Sequence, residues 1–232
     1  MKPIGEPYER PLLLGLWALP VFSALLFVGT LTHQPPPQTD IAGWSRYVTT
    51  AEFLVSHLVA SILGAAIGIL GMIALGLALA AAGRVGAGLW GMVTGVVGLT
   101  LNTALFGIAA WAQPAIGRFY LAGHHADAQA LYYDAAQSVT LVLTGLVGSL
   151  LFVASIVVFG IAVARAGVVP RAVGIALAVS GPLFLVGAIL DDVIESVASA
   201  LMIVCTVWIA LRFWRGVRAS GPAPTGQRWR TR

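Results

Sequence analysis

The chain has 232 residues, of which 59% are hydrophobic and only 9% are charged, and its mean hydropathy is +0.92. Because soluble domains carry about 25% charged residues, this composition excludes an ordinary soluble protein and indicates a membrane protein. The formal net charge of +4 does not indicate nucleic acid as a partner, because the basic residues collect on one predicted side of a membrane.

Six charge-free runs predict membrane-spanning helices, since a helix needs roughly 20 apolar residues to cross the hydrocarbon core. The last run, Ser196–Leu211, is short, and its flanking Glu195 and Arg212 can reach the head-group level, which makes a slightly short span acceptable. The six runs predict an all-α fold, a polytopic bundle of six transmembrane helices with both termini cytoplasmic. The transmembrane domain covers 11–214, and its predicted helices are 11–31, 50–82, 86–112, 137–164, 171–190 and 193–214. The remaining predicted parts are a cytoplasmic N-terminus 1–10, an outer loop 113–136 and a basic cytoplasmic tail 215–232 without fixed structure.

The first apolar run is predicted to remain in the protein as a helix. Its apolar part, Leu12–Leu31, is longer than the roughly 7–15 residues of a signal-peptide core, and no small-x-small cleavage site precedes THQPPPQTD. Pro20 lies inside this run, where a membrane helix accepts a proline kink if neighbouring helices satisfy the freed carbonyl.

Glycines repeat at intervals of three and four residues along the second and third predicted helices, so each set lies on one helix face. The two sets are Ser61, Gly64, Gly68 and Gly71, and Gly88, Gly91, Gly95, Gly98 and Asn102. GRVGAG joins these helices as a tight hairpin, and a rise of ~1.5 Å per residue sets Gly98 level with Gly71 and Asn102 level with Gly68. We therefore expect the two backbones to touch closely.

The stretch GRFYLAGHHADAQALYYDAAQ, 117–137, mixes charge, histidine and tyrosine between two apolar helices. Pro114 is expected to end the third helix, and Phe119 and Tyr120 are expected to rest at the membrane interface. Residues 126–137 are predicted to extend the fourth helix above the membrane. Our hypothesis is that this loop packs over the outer mouth of the bundle.

The charged residues divide between the two predicted sides of the membrane. Alternating helices place eleven of the thirteen basic residues on one side and seven of the nine acidic residues on the other. Because basic residues near helix ends stay in the cytoplasm, this pattern predicts a multi-pass protein with both termini inside. Besides the lipid bilayer itself, anionic lipid heads are expected partners of the basic tail RFWRGVRASGPAPTGQRWRTR.

Three carboxylates fall within one helical turn at the predicted outer interface, where they repel each other and a cation would relieve the repulsion. Histidines and acids on the same side could complete a site for a zinc-like divalent ion, the one cofactor that the residues suggest. The candidate metal ligands are His57, His124, His125, Asp127, Asp191, Asp192 and Glu195. No H-E-x-x-H signature is present, so a cation-attracting vestibule and simple solvation of the outer side are the alternatives.

Polar residues inside the predicted helices are candidates for helix packing or for lining a cavity. Asn102, the only asparagine, lies in the apolar part of the third helix, where its amide needs hydrogen-bond partners. Ser61 and His57 share the glycine-bearing face of the second helix and are expected to face the bundle. Glu52 precedes His57 by five residues, roughly 140° around the helix, so these two do not form an i,i+4 pair.

The segment AQPAIGRFYLAG, Ala112–Gly123, together with the glycine-rich third helix and the following LYYD, resembles uncharacterised six-helix membrane proteins of high-GC actinobacteria. Twelve arginines against one lysine agree with a GC-rich genome. The resemblance implies a bacterial plasma membrane as the location and implies no assigned activity.

The sequence leaves three classes of function open. A non-enzymatic membrane protein that packs or assembles with partners, as a homo- or hetero-oligomer, is favoured because glycine faces need only contact. The alternatives are a small transporter or channel for a cation or small solute, and a membrane enzyme with an outer metal site. There is no G-x-S-x-G elbow and no P-loop. A filled interior would favour assembly, and a continuous cavity would favour transport.

Overall fold

The computed structural model describes residues 6–31 and 40–219, with side chains described for 11–31 and 40–215. Within this part the chain forms ten α-helices and three π-helical segments, and no strand. The helices are α1 (Glu6–Leu31), α2 (Ile41–Val48), α3 (Ala51–Val55), α4 (Gly64–Ala81), α5 (Val85–Gly107), α6 (Gln113–Leu121), α7 (His125–Leu131), α8 (Val139–Ala166), α9 (Arg171–Leu190) and α10 (Asp192–Ala219). The π-helical segments are Ser56–Leu63, Ile108–Ala112 and Tyr132–Ala136. The proline-rich 32–39 and most of the predicted tail, 220–232, lie outside the described residues.

Six helical stretches are long and apolar enough to cross a membrane, which confirms the predicted all-α, multi-pass architecture. They are Pro11–Leu31, Ala51–Ala81, Val85–Leu121, His125–Ala166, Arg171–Leu190 and Asp192–Arg215. The third and fourth stretches exceed the predicted helices because the residues between them are also helical.

The six long helices form a ring in chain order, α1, α4, α5, α8, α9 and α10, and α10 closes the ring against α1. Hydroxyl groups meet at this closure. The Oγ of Ser23 lies 3.5 Å from the Oγ1 of Thr206, and the hydroxyls of Thr30 and Ser196 are 2.7 Å apart. Hydrogen bonds between membrane helices contribute only about 0.6 kcal/mol each on average. We therefore expect these two contacts to fix the alignment of α1 with α10 and to add little to the stability of the bundle.

Successive helices run in opposite directions, so the charged residues separate to the two ends of the ring. The acidic end holds the described carboxylates Asp40, Glu52, Asp127, Asp134, Asp191, Asp192 and Glu195. The basic end holds Arg84, Arg165, Arg171, Arg212 and Arg215. These two names are used below for the halves of the ring.

The expected close contact of the α4 and α5 backbones is found near the basic end, but it involves Gly76, which lies outside the predicted α4 set. A Cβ placed on Gly88 would lie 2.5 Å from the carbonyl oxygen of Gly76, so the two backbones touch there. The predicted pairing of Gly98 with Gly71 is wrong. A Cβ on Gly98 would instead lie 2.6 Å from the backbone nitrogen of Phe152 on α8.

The predicted pairing of Asn102 with Gly68 is wrong for the same reason. Asn102 meets Gly148 of α8, where an added Cβ would lie 2.6 Å from Oδ1, and Gly68 accommodates the ring of Phe22. A 3.5-residue repeat drifts around a straight α-helix by about 20° per heptad. The small-residue track on α5 therefore starts against α4 at the basic end and reaches α8 at the acidic end.

The interior of the basic half of the ring is filled by large apolar side chains. Phe159, at the centre, has no exposed surface, and Gly91 of α5 lies directly against its ring. The other fully buried side chains of this core are Leu16, Met72, Leu75, Leu79, Leu177, Met202 and Ile209. The described side chains of this half pack against one another in a single apolar core.

Pro114 does not end the third membrane helix, contrary to the prediction. The π-helical Ile108–Ala112 precedes it, and the chain continues as α6 to Leu121 with Pro114 at the start of that helix. Residues in the first turn of a helix do not donate their backbone N–H within the helix, so proline, which lacks this group, is tolerated there. The π-helical segment before Pro114 lets α6 begin a new first turn while the chain stays helical.

The predicted outer loop 113–136 is helical rather than irregular. Residues 125–136 form a helix, as expected for 126–137, but Gln137 and Ser138 separate it from α8. We call α2, α6, α7 and Tyr132–Ala136 the cap, because they pack together at the acidic end around their own apolar cluster. The prediction that this region packs over the mouth of the bundle agrees with that placement.

Candidate ligand-binding cavity

A cavity of about 520 Å³ lies inside the acidic half of the ring, beneath the cap. Its walls are mainly apolar, and its hydrogen-bonding side chains come from elements that are far apart in the chain. The polar lining residues are Thr30, Ser56, His57, Ser61, Asn102, Gln113, Tyr132, Gln137, Ser149 and Glu195. Small-molecule sites have this character, with a few polar groups in a largely apolar concavity.

All three π-helical segments of the described chain contribute to the cavity wall. Ser56–Leu63 supplies Ser56, His57 and Ser61, Ile108–Ala112 supplies its first two residues, and Tyr132–Ala136 supplies its two ends. A π-helical turn widens the helix and redirects side chains, and such turns occur frequently at functional sites. Because all three segments border the same cavity, we regard this cavity as the candidate functional site.

The cap forms the roof of the cavity. Trp44 and Tyr132 are buried and meet edge to face, with ring centroids 4.7 Å apart, and both line the cavity. Helix α2 approaches α6 closely at Gly117, where an added Cβ would lie 2.9 Å from the carbonyl oxygen of Ser45. Burial first, and the Glu52 carboxylate second, raise the pKa of the Tyr47 hydroxyl in this cap.

Glu195 is the one acidic residue of the described chain whose side chain is buried, with 7% of its surface exposed. It begins the buried face of α10, which continues with Ala198, Ser199, Met202, Cys205, Thr206 and Ile209. Helical spacing thus turns Glu195 inward, whereas Asp191 is exposed at the start of the helix and accepts a hydrogen bond of 2.7 Å from the Val193 N–H. The Oε2 of Glu195 has no hydrogen-bond partner among the described residues.

Other polar side chains of the cavity wall have partners within the protein. Gln137 donates to the Tyr132 hydroxyl at 3.0 Å, and the Ser149 hydroxyl donates to Asn102 Oδ1 at 3.4 Å. His57 donates from Nδ1 to the Phe53 carbonyl at 2.8 Å. The Glu195 carboxyl is therefore the polar group of the wall that most needs a ligand, because an unpaired buried carboxylate is costly.

The helices α8 and α9 touch closely only in the basic half. A Cβ on Gly160 would lie 2.6 Å from the carbonyl oxygen of Gly174, so the two backbones meet there. In the acidic half α8 leans on α5, where Gly145 meets Leu105. Helix α9 leans on α10, where Gly187 lies against the backbone of Glu195.

This separation opens the cavity sideways between α8 and α9. Two of its lining residues are exposed on the outside of the ring at this point, Val142 of α8 with 50% of its surface exposed and Ala188 of α9. The outer faces of both helices are apolar, so the opening lies among apolar side chains.

Of the seven candidate metal ligands, only His57 and Glu195 line the cavity. His124, His125 and Asp127 are exposed on the cap, where His124 stacks on Phe119 with ring centroids 4.3 Å apart and His125 meets Tyr120 at 4.4 Å. Throughout residues 6–31 and 40–219, no three His, Cys, Asp or Glu side chains form a group that could hold a metal ion. The predicted divalent-metal site is not formed by these side chains.

The structure divides the other polar candidates. Asn102 and Ser61 line the cavity, which is one of the two roles expected for them, the other being helix packing. Glu52 is exposed and lies outside the cavity. Sequence reasoning missed Thr30, Gln113 and the aromatic roof. The inward orientation of Glu195 is consistent with the sequence pattern of α10. Small and apolar residues follow Glu195 at intervals of three and four, and they form the buried face of this helix.

Comparison with protein-family models, with curated proteins and with solved structures finds no match to this chain. The resemblance to six-helix actinobacterial proteins therefore stays a prediction.

Proposed function

We propose that the protein binds a small amphipathic amine in the cavity of its acidic half. The observation that carries this proposal is the Glu195 side chain, which is buried in the cavity wall and has an oxygen without a hydrogen-bond partner in the described structure. A buried carboxylate is tolerated when a proton or a cationic group neutralises it. An ammonium group would supply both the charge and the hydrogen bond.

Aromatic side chains in the wall also favour a cationic ligand. Ring faces attract cations, by about 0.5–1 kcal/mol at exposed sites and about 2 kcal/mol when desolvated. The aromatic lining residues are Phe22, Trp44, Phe53, Phe106, Tyr132, Phe152 and Phe184. The volume of about 520 Å³ suits a molecule of drug-like size, and the apolar walls suit its hydrocarbon part.

The opening between α8 and α9 supports entry of the ligand from the membrane. Val142 and Ala188 lie on both the cavity wall and the outside of the ring, and the cap covers the end of the cavity. An amphipathic amine partitions into the bilayer interface, so it would reach this opening without passing the cap.

Binding explains the interior better than a channel or an assembly role. The core around Phe159 fills the basic half, so the cavity has no continuation through the part of the chain that is described. Glycines such as Gly88, Gly98 and Gly160 are occupied by contacts inside the chain, which removes the reason for assigning them to a partner. Assembly into oligomers stays a prediction.

A fluorescent lipophilic amine tests the proposal. We expect purified protein in detergent to bind, saturably and with one molecule per chain, a dansyl-labelled alkyl chain that ends in a primary amine. A matched probe that ends in a hydroxyl should bind about tenfold more weakly, since a hydrogen bond to a charged group contributes about 1.5–3 kcal/mol. Fluorescence titration measures both. Equal affinity of the amine and hydroxyl probes would refute the assignment.

We also propose that the acidic end faces the outside of a bacterial plasma membrane, so that both termini are cytoplasmic. The support is the excess of arginine at the basic end. In a Cys205→Ser parent, an impermeant maleimide should label Asp127→Cys in intact cells and leave Ala172→Cys unlabelled until the cells are opened. The opposite pattern would reverse the orientation and place the cavity on the cytoplasmic side.

A further inference from the structure

A second concavity lies on the outer surface of the bundle, along the basic halves of α8 and α9. It is a groove of about 680 Å³ with apolar walls, and its basic end is lined by Arg165 and Arg171. The groove lies beside the crossing at which α8 and α9 are in backbone contact, at Gly160 and Gly174. Its apolar part includes Ile161, Ile175, Val179 and Leu183.

Three arginines from two connections gather near the end of this groove, Arg84 from the α4–α5 connection and Arg165 and Arg171 from the two sides of the α8–α9 connection. The guanidinium of Arg84 donates a hydrogen bond to the backbone carbonyl of Arg165, which brings it beside Arg165 and Arg171. All the carboxylates with described side chains belong to the acidic end. Among the residues with described side chains, 11–31 and 40–215, no carboxylate lies beside these arginines.

We propose that this groove binds an anionic phospholipid of the leaflet at the basic end. One acyl chain would lie along the apolar walls, and the phosphate would sit between Arg165 and Arg171. Guanidinium groups pair with phosphate through parallel hydrogen bonds, and basic pockets between membrane helices on the basic side suit anionic head groups. The site differs from the ligand cavity in position, charge and chemistry, so it does not depend on the proposed amine.

The orienting role of arginines at helix ends is the alternative explanation. Such arginines need no particular lipid and no groove. A defined site, in contrast, requires both the phosphate and the acyl chain. It should bind an anionic lipid more tightly than a zwitterionic lipid with identical acyl chains. It should not bind the head group alone, supplied as a soluble molecule.

Native mass spectrometry of the delipidated full chain in detergent tests this site. We expect one molecule of phosphatidylglycerol to be retained about tenfold more than phosphatidylcholine with the same acyl chains. The double variant Arg165→Gln/Arg171→Gln should lose that preference. Its matched control is Arg46→Gln/Arg118→Gln at the acidic end, which should keep it.

A groove-filling variant keeps the test decisive if the arginine variant fails to fold. Ile175→Trp leaves the charges in place and should also lower retention of phosphatidylglycerol about tenfold, whereas Val97→Trp on the exposed face of α5 should not. Equal retention of the two lipids would overturn the proposal. Displacement of the lipid by soluble glycerol phosphate at the same concentration would also overturn it, because the site would then bind a free anion.

Discussion

Replacing Gly160 with alanine is expected to lower the free energy of unfolding by about 3 kcal/mol, at the upper end of the usual cost of overpacking. The added Cβ would lie 2.6 Å from the carbonyl oxygen of Gly174 and would also press on the backbone of Ala178. Because the obstacle is backbone, no rotamer change relieves it and α8 must move away from α9. Membrane helices depend on such close approach, since burial of apolar surface from lipid contributes little.

Thermal or denaturant unfolding in detergent measures this effect. Gly86→Ala is the matched control, because a Cβ at that exposed position in the first turn of α5 meets nothing within 4 Å. The control should be neutral or stabilise the protein by about 0.5–1 kcal/mol, as alanine does in a helix. If Gly160→Ala unfolds like the unaltered protein, the crossing of α8 and α9 is not as close as described.

Replacing Glu195 is expected to separate ligand binding from stability. Glu195→Gln should weaken binding of the amine probe about 100-fold, because removing one partner of a buried charge pair costs about 2–5 kcal/mol. The hydroxyl-ended probe should be affected far less, since it brings no charge to the carboxylate. Fluorescence titration of both probes on both proteins measures the difference.

In the absence of ligand the same position should be a liability for stability. Glu195→Met keeps a similar length, and we expect it to raise the free energy of unfolding by about 1–3 kcal/mol by removing an unpaired buried polar group. Glu52→Gln, an exposed carboxylate outside the cavity, is the control and should change stability by less than about 0.5 kcal/mol. A large loss of stability in Glu195→Met would instead mean that the carboxylate has a structural partner.

These opposite expectations follow from one feature of the site. Glu195 lowers the stability of the unliganded protein and lies in a cavity wall. Natural proteins retain such destabilising residues mainly at functional sites. The three π-helical segments around the same cavity are a second feature of this kind, because an uninterrupted α-helix would have the more favourable backbone.

Local properties of the sequence predicted the membrane architecture well. The fifth predicted helix, 171–190, coincides with Arg171–Leu190, and the sixth begins one residue from its observed start. The hydrocarbon thickness sets the length of each span, so a run of apolar residues is sufficient evidence for it. Pro114 was misread because the same proline that breaks a helix interior is well suited to a first turn.

The sequence could not say which faces meet. Gly98 was expected against α4 and lies against α8, because the direction of a small-residue track depends on how all six helices close into a ring. Likewise Asp191 and Glu195 differ by one helical turn, yet the first caps α10 at the surface and the second lines a buried cavity. One alternative from the sequence placed both carboxylates in a shared acidic vestibule. The orientation of α10 instead turns Glu195 inward and leaves Asp191 at the surface.

The sequence by itself determined that this chain is a helical membrane protein with six spans and opposite charge at its two ends. Each of those properties follows from the transfer of one segment between water and lipid, which needs no knowledge of its neighbours. Only the tertiary structure decided where the interior is filled and where it is hollow. That outcome depends on contacts between residues distant in the chain, such as Thr30 with Ser196 and Ser149 with Asn102, which no local pattern encodes.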